Sequence, residues 1–303
     1  MRNYNENYND RPRLIDKINI DTSKPVELVV KSVKKTGIRC LHLPTQLPVT
    51  FRKVRDEIEG EIITVLPSKI WQFKNTVYLA GSVTDKRIDI NALNITPLKI
   101  EKQGPFKPDE NDLIDDNCVF NKYYIPILAY GNRQEFEMEQ VIPFEDPEDL
   151  DYDPILEAVE ANDSGDIESA YKILQDMLEQ DIRCVDAHAH LGNWEFESVR
   201  YESSSRINKA KRHYEIGIKI AEHSLSTTFH DLLPWGYINN RPYLRCLHGY
   251  GLCLWRLGEM DAAKNVFEKI LWLNPLDNQG IRFLLTDIDR GKNWQELEKE
   301  NHT

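Results

Sequence analysis

The residues whose chemistry stands out first are acids and histidines in the second half of the chain. Asp186, His188 and His190 form a D-x-H-x-H run, and His213, His223, His230 and His248 follow it. On a β-strand alternate side chains share a face, so such a pair of histidines can hold a metal. On a helix, residues two apart point about 200° from each other, and His188 and His190 diverge. Asp186 and His190 stand at i, i+4, where a helix brings two side chains together on a metal or in a hydrogen bond. Spacing supplies no firm third ligand, so the expectation is packed or hydrogen-bonded histidine, with no metal and no cofactor. The G-x-S-x-G, P-loop, H-E-x-x-H and dinucleotide-binding patterns do not occur. Acidic pairs such as Asp115-Asp116 and Asp163/Asp166 read as solvated loops rather than acid–base dyads. The chain therefore reads as a non-enzyme with no catalytic residues.

A different chemistry lies upstream. Lys69, Trp71, Phe73, Lys74 and Tyr78 set cations among aromatics on neighbouring predicted strands. Small β-barrels use such surfaces to bind single-stranded RNA or DNA by base stacking and phosphate pairing. The competing expectation is that Trp71 and Phe73 share a strand face and pack in the core, with the lysines solvated outside.

Composition bounds what can position these residues. The chain has 303 residues, 41% hydrophobic and 29% charged, as in soluble globular proteins of about two domains. No apolar run reaches the ~20 residues that span a bilayer. The polar start MRNYNENYNDRPR lacks the apolar region of a secretory signal. The five cysteines, Cys40, Cys118, Cys184, Cys246 and Cys253, form no C-x-x-C pair, which suits reduced thiols in the cytoplasm. The net charge is −12, unevenly spread: residues 21–107 hold 15 Lys+Arg against 9 Asp+Glu, whereas residues 108–180 hold 3 against 21. Two modules of different electrostatic character follow, or simply two solvated surfaces.

The predicted class is α+β: a small N-terminal β-barrel or sandwich, then a stack of helices. Residues 1–20 read as a mobile arm, with order near Leu14–Ile20. Residues 21–107 form the β-rich domain. Its strands are expected around Val26–Lys31, Val49–Phe51, Glu61–Leu66, Ile70–Phe73, Val77–Val83 and Arg87–Ile90. Turns are expected at Lys35-Thr36-Gly37, Glu59-Gly60, Lys74-Asn75 and Thr84-Asp85. Residues 108–150 read as an acidic connector. Its prolines exclude a long helix, Tyr123–Tyr130 reads as a strand, and Glu145–Asp153 as a solvated loop. Helical periodicity fills residues 151–291, starting with an Asp153 cap and Pro154 at the first helical position. Asp277 is placed to cap a last helix that Gly291 stops near Arg290. Residues 292–303 are the tail, where Trp294–Glu300 forms a short amphipathic turn or frays.

One stretch within the helical half carries a repeat signature. From Leu244 to Pro275, Leu247, Tyr250, Gly251, Leu254, Gly258, Ala263, Phe267 and Pro275 fall in the diagnostic slots of a 34-residue unit, so the stretch resembles the tetratricopeptide repeat (TPR), a pair of antiparallel helices. Ala158, Gly165, Ala170 and Leu174 match one such unit counted from Asp151. Leu191-Gly192, then Ala210, Tyr214 and Gly217, match another counted from Val185, with an insertion within Glu197–Asn208. As a whole the chain resembles bacterial tetratricopeptide proteins that place a β-rich segment before the repeats. The resemblance implies an architecture and no mechanism. First helices of such units line a concave groove. It would here hold Asp186, Ala189, Asn193 and Phe196, then Arg245, His248, Leu252 and Trp255, with His190 beside Asp186. Asn193 would hold backbone groups, Arg245 a carboxylate, and Trp255 an apolar side chain of a bound peptide or partner protein. Some tetratricopeptide domains clamp a C-terminal carboxylate with a Lys/Asn/Arg set; only Asn193 matches such a slot, since Ala189 and His248 stand where lysine is usual. The expected function is an adaptor in this groove, with nucleic-acid binding through the β-rich domain as the alternative.

Overall fold

The computed structural model describes residues 13–34, 36–52, 56–107, 119–144, 152–197 and 204–301. Two compact units divide between Leu93 and Asn94.

In the first unit, helix α1 (Leu14–Ile18) precedes five strands: β1 (Val26–Lys34), β2 (Gly37–His42), β3 (Pro48–Phe51), β4 (Ile62–Phe73) and β5 (Thr76–Arg87). They close a barrel in the order β1-β2-β3-β5-β4, with β1 pairing β4 and with β3 and β5 parallel. Alternation puts Leu28, Val30, Ile38, Cys40, Phe51, Val65, Val77 and Leu79 inside. Ile18 joins that core, so the part of the expected arm from Leu14 onward is a helix packed on the barrel. Residues 1–12 lie outside the described residues.

Two expected breaks are absent. Pro67 does not separate two strands; a bulge between Pro67 and Lys69 absorbs it and β4 runs on. Thr84-Asp85 lies inside β5 rather than at a turn. The long β4–β5 hairpin turns at Lys74, which takes a left-handed φ of 51°. At the bulge the strands are so close that a Cβ on Gly81 would stand 2.3 Å from the Leu66 carbonyl oxygen. Strand β2 was not foreseen, although Ile38, Cys40 and His42 alternate inward with Arg39 and Leu41.

The second unit opens with β6 (Ile100–Pro105), which the sequence reading grouped with the barrel. It instead pairs antiparallel with β7 (Gln134–Met138). Between them Asn121–Ala129 is helix α2 and not the expected strand. The sixth residue of this helix is Pro126; Tyr124 and Ile127, at i and i+3, give it a buried helical face. Helices α3 (Pro154–Asp163), α4 (Ile167–Gln180), α5 (Val185–Glu197), α6 (Ser204–His223), α7 (Arg241–Arg256), α8 (Met260–Leu273), α9 (Ile281–Asp289) and α10 (Trp294–Asn301) follow. Consecutive helices from α3 to α9 pack on one another, and α5 also packs on α7. Asp153 caps α3 as expected, accepting from the Ile155 and Leu156 N–H groups. Asp166 caps α4 by accepting from Ser169. Both Asp277 carboxylate oxygens take the first N–H groups of α9, from Ile281 and Arg282.

The long connection before α7 is pinned by polar side chains. Arg133 is buried and donates to the carbonyls of His230, Asp231 and Trp272, while its guanidinium lies 4.0 Å from the Trp272 ring centroid. Burial lowers its pKa to about 10. Asn240 accepts from the Met138 N–H and donates to the Phe136 and Pro234 carbonyls. Residues 108–118, 145–151 and 198–203 lie outside the described residues, and with them the two ends of the acidic connector and part of the range expected to hold the insertion in the second repeat-like unit.

Candidate binding cavity

Two glycines and a tyrosine build the floor of the candidate cavity. Tyr214 of α6 is fully buried between α5 and α7. A Cβ on Gly192 of α5 would stand 2.6 Å from its ring, and one on Gly249 of α7 would stand 2.2 Å away. Only hydrogen at both positions leaves a slot as thick as the ring. The phenol crosses that slot and donates a 2.6 Å hydrogen bond to Asn193 Oδ1. A second close approach joins α7 to α8, where a Cβ on Gly251 would meet Phe267 at 2.5 Å. Gly251 stands in one of the diagnostic slots of the repeat-like unit.

Above this floor opens a cavity of about 460 Å³. Phe196 and Leu252 give it apolar walls, and Trp235 from the connection before α7 closes one side. Asn193, Asn278 and Gln279 contribute amides. Gln279 Nε2 faces the Leu244 carbonyl at 3.2 Å and His248 Nδ1 at 3.3 Å. A carbonyl only accepts, so it fixes the NH₂ end of Gln279 there. The Oε1 end has no hydrogen-bond donor among the described residues. Burial pushes the His248 pKa down to about 4, so this imidazole is neutral near pH 7.

The sequence-derived groove residues part company here. Asn193, Arg245 and His248 line the cavity. Asp186 stands behind it, only 5% exposed: Oδ1 accepts from Arg245 at 2.9 Å, and Oδ2 accepts from Gln140 at 3.3 Å. His190 lies 3.8 Å from Asp186 through Nε2, as the i, i+4 spacing suggested, and burial lowers its pKa. Trp255 does not face the cavity. It is 1% exposed, donates from Nε1 to the Lys292 carbonyl at 3.0 Å, and meets Trp294 edge-on. The tail explains this correction, because α10 is a helix that covers Trp255 where the sequence suggested a short turn. Trp235, Asn278 and Gln279 were missed as cavity residues. They sit outside the repeat slots, so no repeat position points to them.

His188 and His190 diverge as a helix requires. His188 turns inward and its Nδ1 lies 3.4 Å from His213 Nδ1, with its Nε2 unpartnered among the described residues. Burial drives the His188 pKa down to about 3 and holds His213 well below its ordinary value.

The first unit carries its own surface. Arg39, Thr50, Tyr78 and Trp71 are register partners on successive strands β2, β3, β5 and β4. Their neighbours Ile38, Phe51, Leu79 and Ile70 form the inward row, so the first set faces out. Trp71 and Tyr78 stack at 5.4 Å with 14° between their planes. Lys69 lies over Trp71, Arg52 over Tyr78 and Lys74 over Phe73. Phe73 is 61% exposed. The expectation that Trp71 and Phe73 pack inside is overturned, because Ile70, Val77 and Leu79 already fill the inner face of these strands.

No protein-family model matches the chain, and no curated protein matches it. Among the described residues no helix is long and apolar enough to cross a membrane.

Proposed function

We propose that the helical half is a tetratricopeptide-like stack and that the chain is a non-enzymatic adaptor, taking an extended peptide of a partner protein into the cavity over Tyr214. The cavity between α5 and α7 carries this reading. It combines apolar walls with amide side chains, the mixture that holds a polypeptide by both side chains and backbone. A cytoplasmic setting agrees with Cys40, Cys184, Cys246 and Cys253, which are free, buried thiols. The test places a photo-crosslinking benzoylphenylalanine at Leu252 in the full chain, with a control at exposed Ile238. Crosslinks to one partner segment from Leu252 and none from Ile238 are expected. Equal labelling from both positions would remove the proposal.

The outward aromatic row supports a second reading, in which the barrel binds single-stranded RNA or DNA. Small Greek-key barrels bind oligonucleotides and oligosaccharides on such strands, although fold alone does not decide function. Base stacking on Trp71 and Tyr78 would be worth about 1–3 kcal/mol per base. Anisotropy of a labelled oligo-uridine with the full chain at low salt tests it. Binding that weakens about tenfold in Trp71→Ala is expected, and no binding at low salt would end this reading.

A further inference from the structure

The outward face of the barrel is graded along its strands. Lys69 of β4 pairs with Ala80 of β5, and the Arg52 N–H bonds to the carbonyl of Leu79, next to Ala80. Each of the three stands one position from an inward residue, Ile70, Leu79 or Phe51. They therefore form an outward row with a cation at each end and a small residue between. Beside it lies the row that holds the stacked rings of Tyr78 and Trp71. Beyond the rings, towards the tip of the β4–β5 hairpin, come Leu41 paired with Pro48 and then exposed Phe73. The face passes from cationic to aromatic to apolar.

No acid interrupts the charge of these strands. Residues 35–55 and 62–84 contain neither Asp nor Glu, in a chain whose net charge is −12. The first range includes residues 35 and 53–55, which lie outside the described residues. Lys69 forms no ion pair among the described residues, and its Nζ rests 5.5 Å from the Trp71 ring centroid. Arg52 donates from Nη1 to the Thr36 carbonyl at 3.1 Å, and its guanidinium stands 5.4 Å from the Tyr78 ring centroid. A carbonyl orients a guanidinium without neutralising it.

Lys69 and Arg52 are two strand spacings apart, about 9.5 Å, with the row of two rings alongside. A phosphodiester laid across β4, β5 and β3 meets a cation at each end and turns its bases over the rings. Laid along the hairpin instead, it would carry phosphates over Phe73 towards Lys74, and a charge gains nothing from an apolar surface. The nearby amide is spent, since Gln72 accepts from the Ile15 N–H and donates to the Lys74 carbonyl. Stacking and charge remain, and every nucleotide satisfies both.

We infer that a single nucleic-acid strand crosses β4, β5 and β3 with its phosphates on Lys69 and Arg52 and one base on each of Trp71 and Tyr78, in a sequence-tolerant way; this rests on the second reading above.

The experiment follows anisotropy of labelled oligo-uridine and of a mixed-sequence strand of equal length, with the full chain, across a salt series. The wild type is expected to bind both within about threefold. Each phosphate held on a single strand adds about 0.7 to the slope of log K against log salt. Lys69→Gln and Arg52→Gln are each expected to flatten that slope by about 0.7 and to weaken both oligonucleotides alike. Arg52→Lys keeps the charge and is expected to keep the slope. Lys74→Gln should leave the slope within about 0.2 of wild type. Trp71→Ala should weaken binding about tenfold with the slope unchanged. A slope flattened by Lys74→Gln and untouched by Arg52→Gln would lay the strand along the hairpin and overturn the inference. So would a preference above about tenfold for one sequence. No wild-type binding at low salt would instead end the second reading itself. Circular dichroism of each variant separates lost contacts from lost fold, and Arg52→Lys answers for position 52 if Arg52→Gln unfolds.

Discussion

Gly249→Ala is a single-methyl change whose cost follows from the tyrosine slot. The new Cβ would stand 2.2 Å from Tyr214 Cζ and 2.5 Å from Cε1. Carbon atoms rest about 3.5–4.0 Å apart, so the ring must retreat by more than about 1 Å. Retreat is blocked, because the Gly192 backbone lies against the opposite face, where a Cβ would already be 2.6 Å from the ring. Overpacking of this kind typically costs about 1–3 kcal/mol. Loss of the Tyr214–Asn193 hydrogen bond adds about 1 kcal/mol. Alanine recovers about 0.8–1 kcal/mol of helix propensity over glycine. The net expectation is destabilisation by about 1–3 kcal/mol. For a unit of this size that lowers the melting temperature by roughly 2–12 °C. Far-UV circular dichroism during urea and thermal unfolding follows the second unit, which contains every long helix described. Gly236→Ala is the control, since no atom lies within 4 Å of its Cβ position, and it should stay within about 0.5 kcal/mol of wild type. In a Tyr214→Ala background the penalty of Gly249→Ala should vanish. A Gly249→Ala protein as stable as wild type, or an undiminished penalty without the ring, would refute the slot.

Three further outcomes follow. His188 has a folded pKa of about 3, against about 6.5 when unfolded, so the unfolded chain binds the extra proton between those values. Its stabilising contribution is complete above about pH 6.5 and is lost as the pH falls towards 3. Urea titrations should show about 2–3 kcal/mol of that loss by about pH 4.5, less in His188→Phe, and an unchanged pH slope in that variant would contradict the burial argument. Trp255→Phe removes the Nε1 bond to the Lys292 carbonyl; faster proteolysis within 292–301 and unaltered peptide affinity are expected, whereas lost affinity would return Trp255 to the groove. Arg133→Met strands the carbonyls of His230, Asp231 and Trp272. It should destabilise the second unit by about 3 kcal/mol or more in thermal unfolding, and a neutral result would mean that water replaces the guanidinium.

Local patterns were legible where a short-range rule governs them. The Asp153 cap, the glycine at 251 and the divergence of His188 from His190 each depend on one turn of helix. The strands around Val26, Val49 and Val77 show their inward alternation directly. Effects of distant partners were not legible. Trp255 looked like a groove residue by its slot, and a helix from the tail buries it. Asp186 and Arg245 lie far apart in sequence, so nothing local reveals that they neutralise each other. Pro126 was read as excluding a long helix and residues 67–69 as a gap between two strands, although a buried helical face at Tyr124 and Ile127, and a bulge beside Gly81, accommodate the two prolines. Trp71 could have belonged to either side of the barrel until the register of β4 against β5 fixed its face.

The central claim is that the cavity between α5 and α7 receives a partner's polypeptide. Calorimetry of the segment crosslinked from Leu252, titrated into wild type, Leu252→Lys and Trp71→Ala proteins of equal fold, tests it most directly. The account predicts an affinity loss of about tenfold or more in Leu252→Lys and none in Trp71→Ala. Undiminished binding to Leu252→Lys would contradict it.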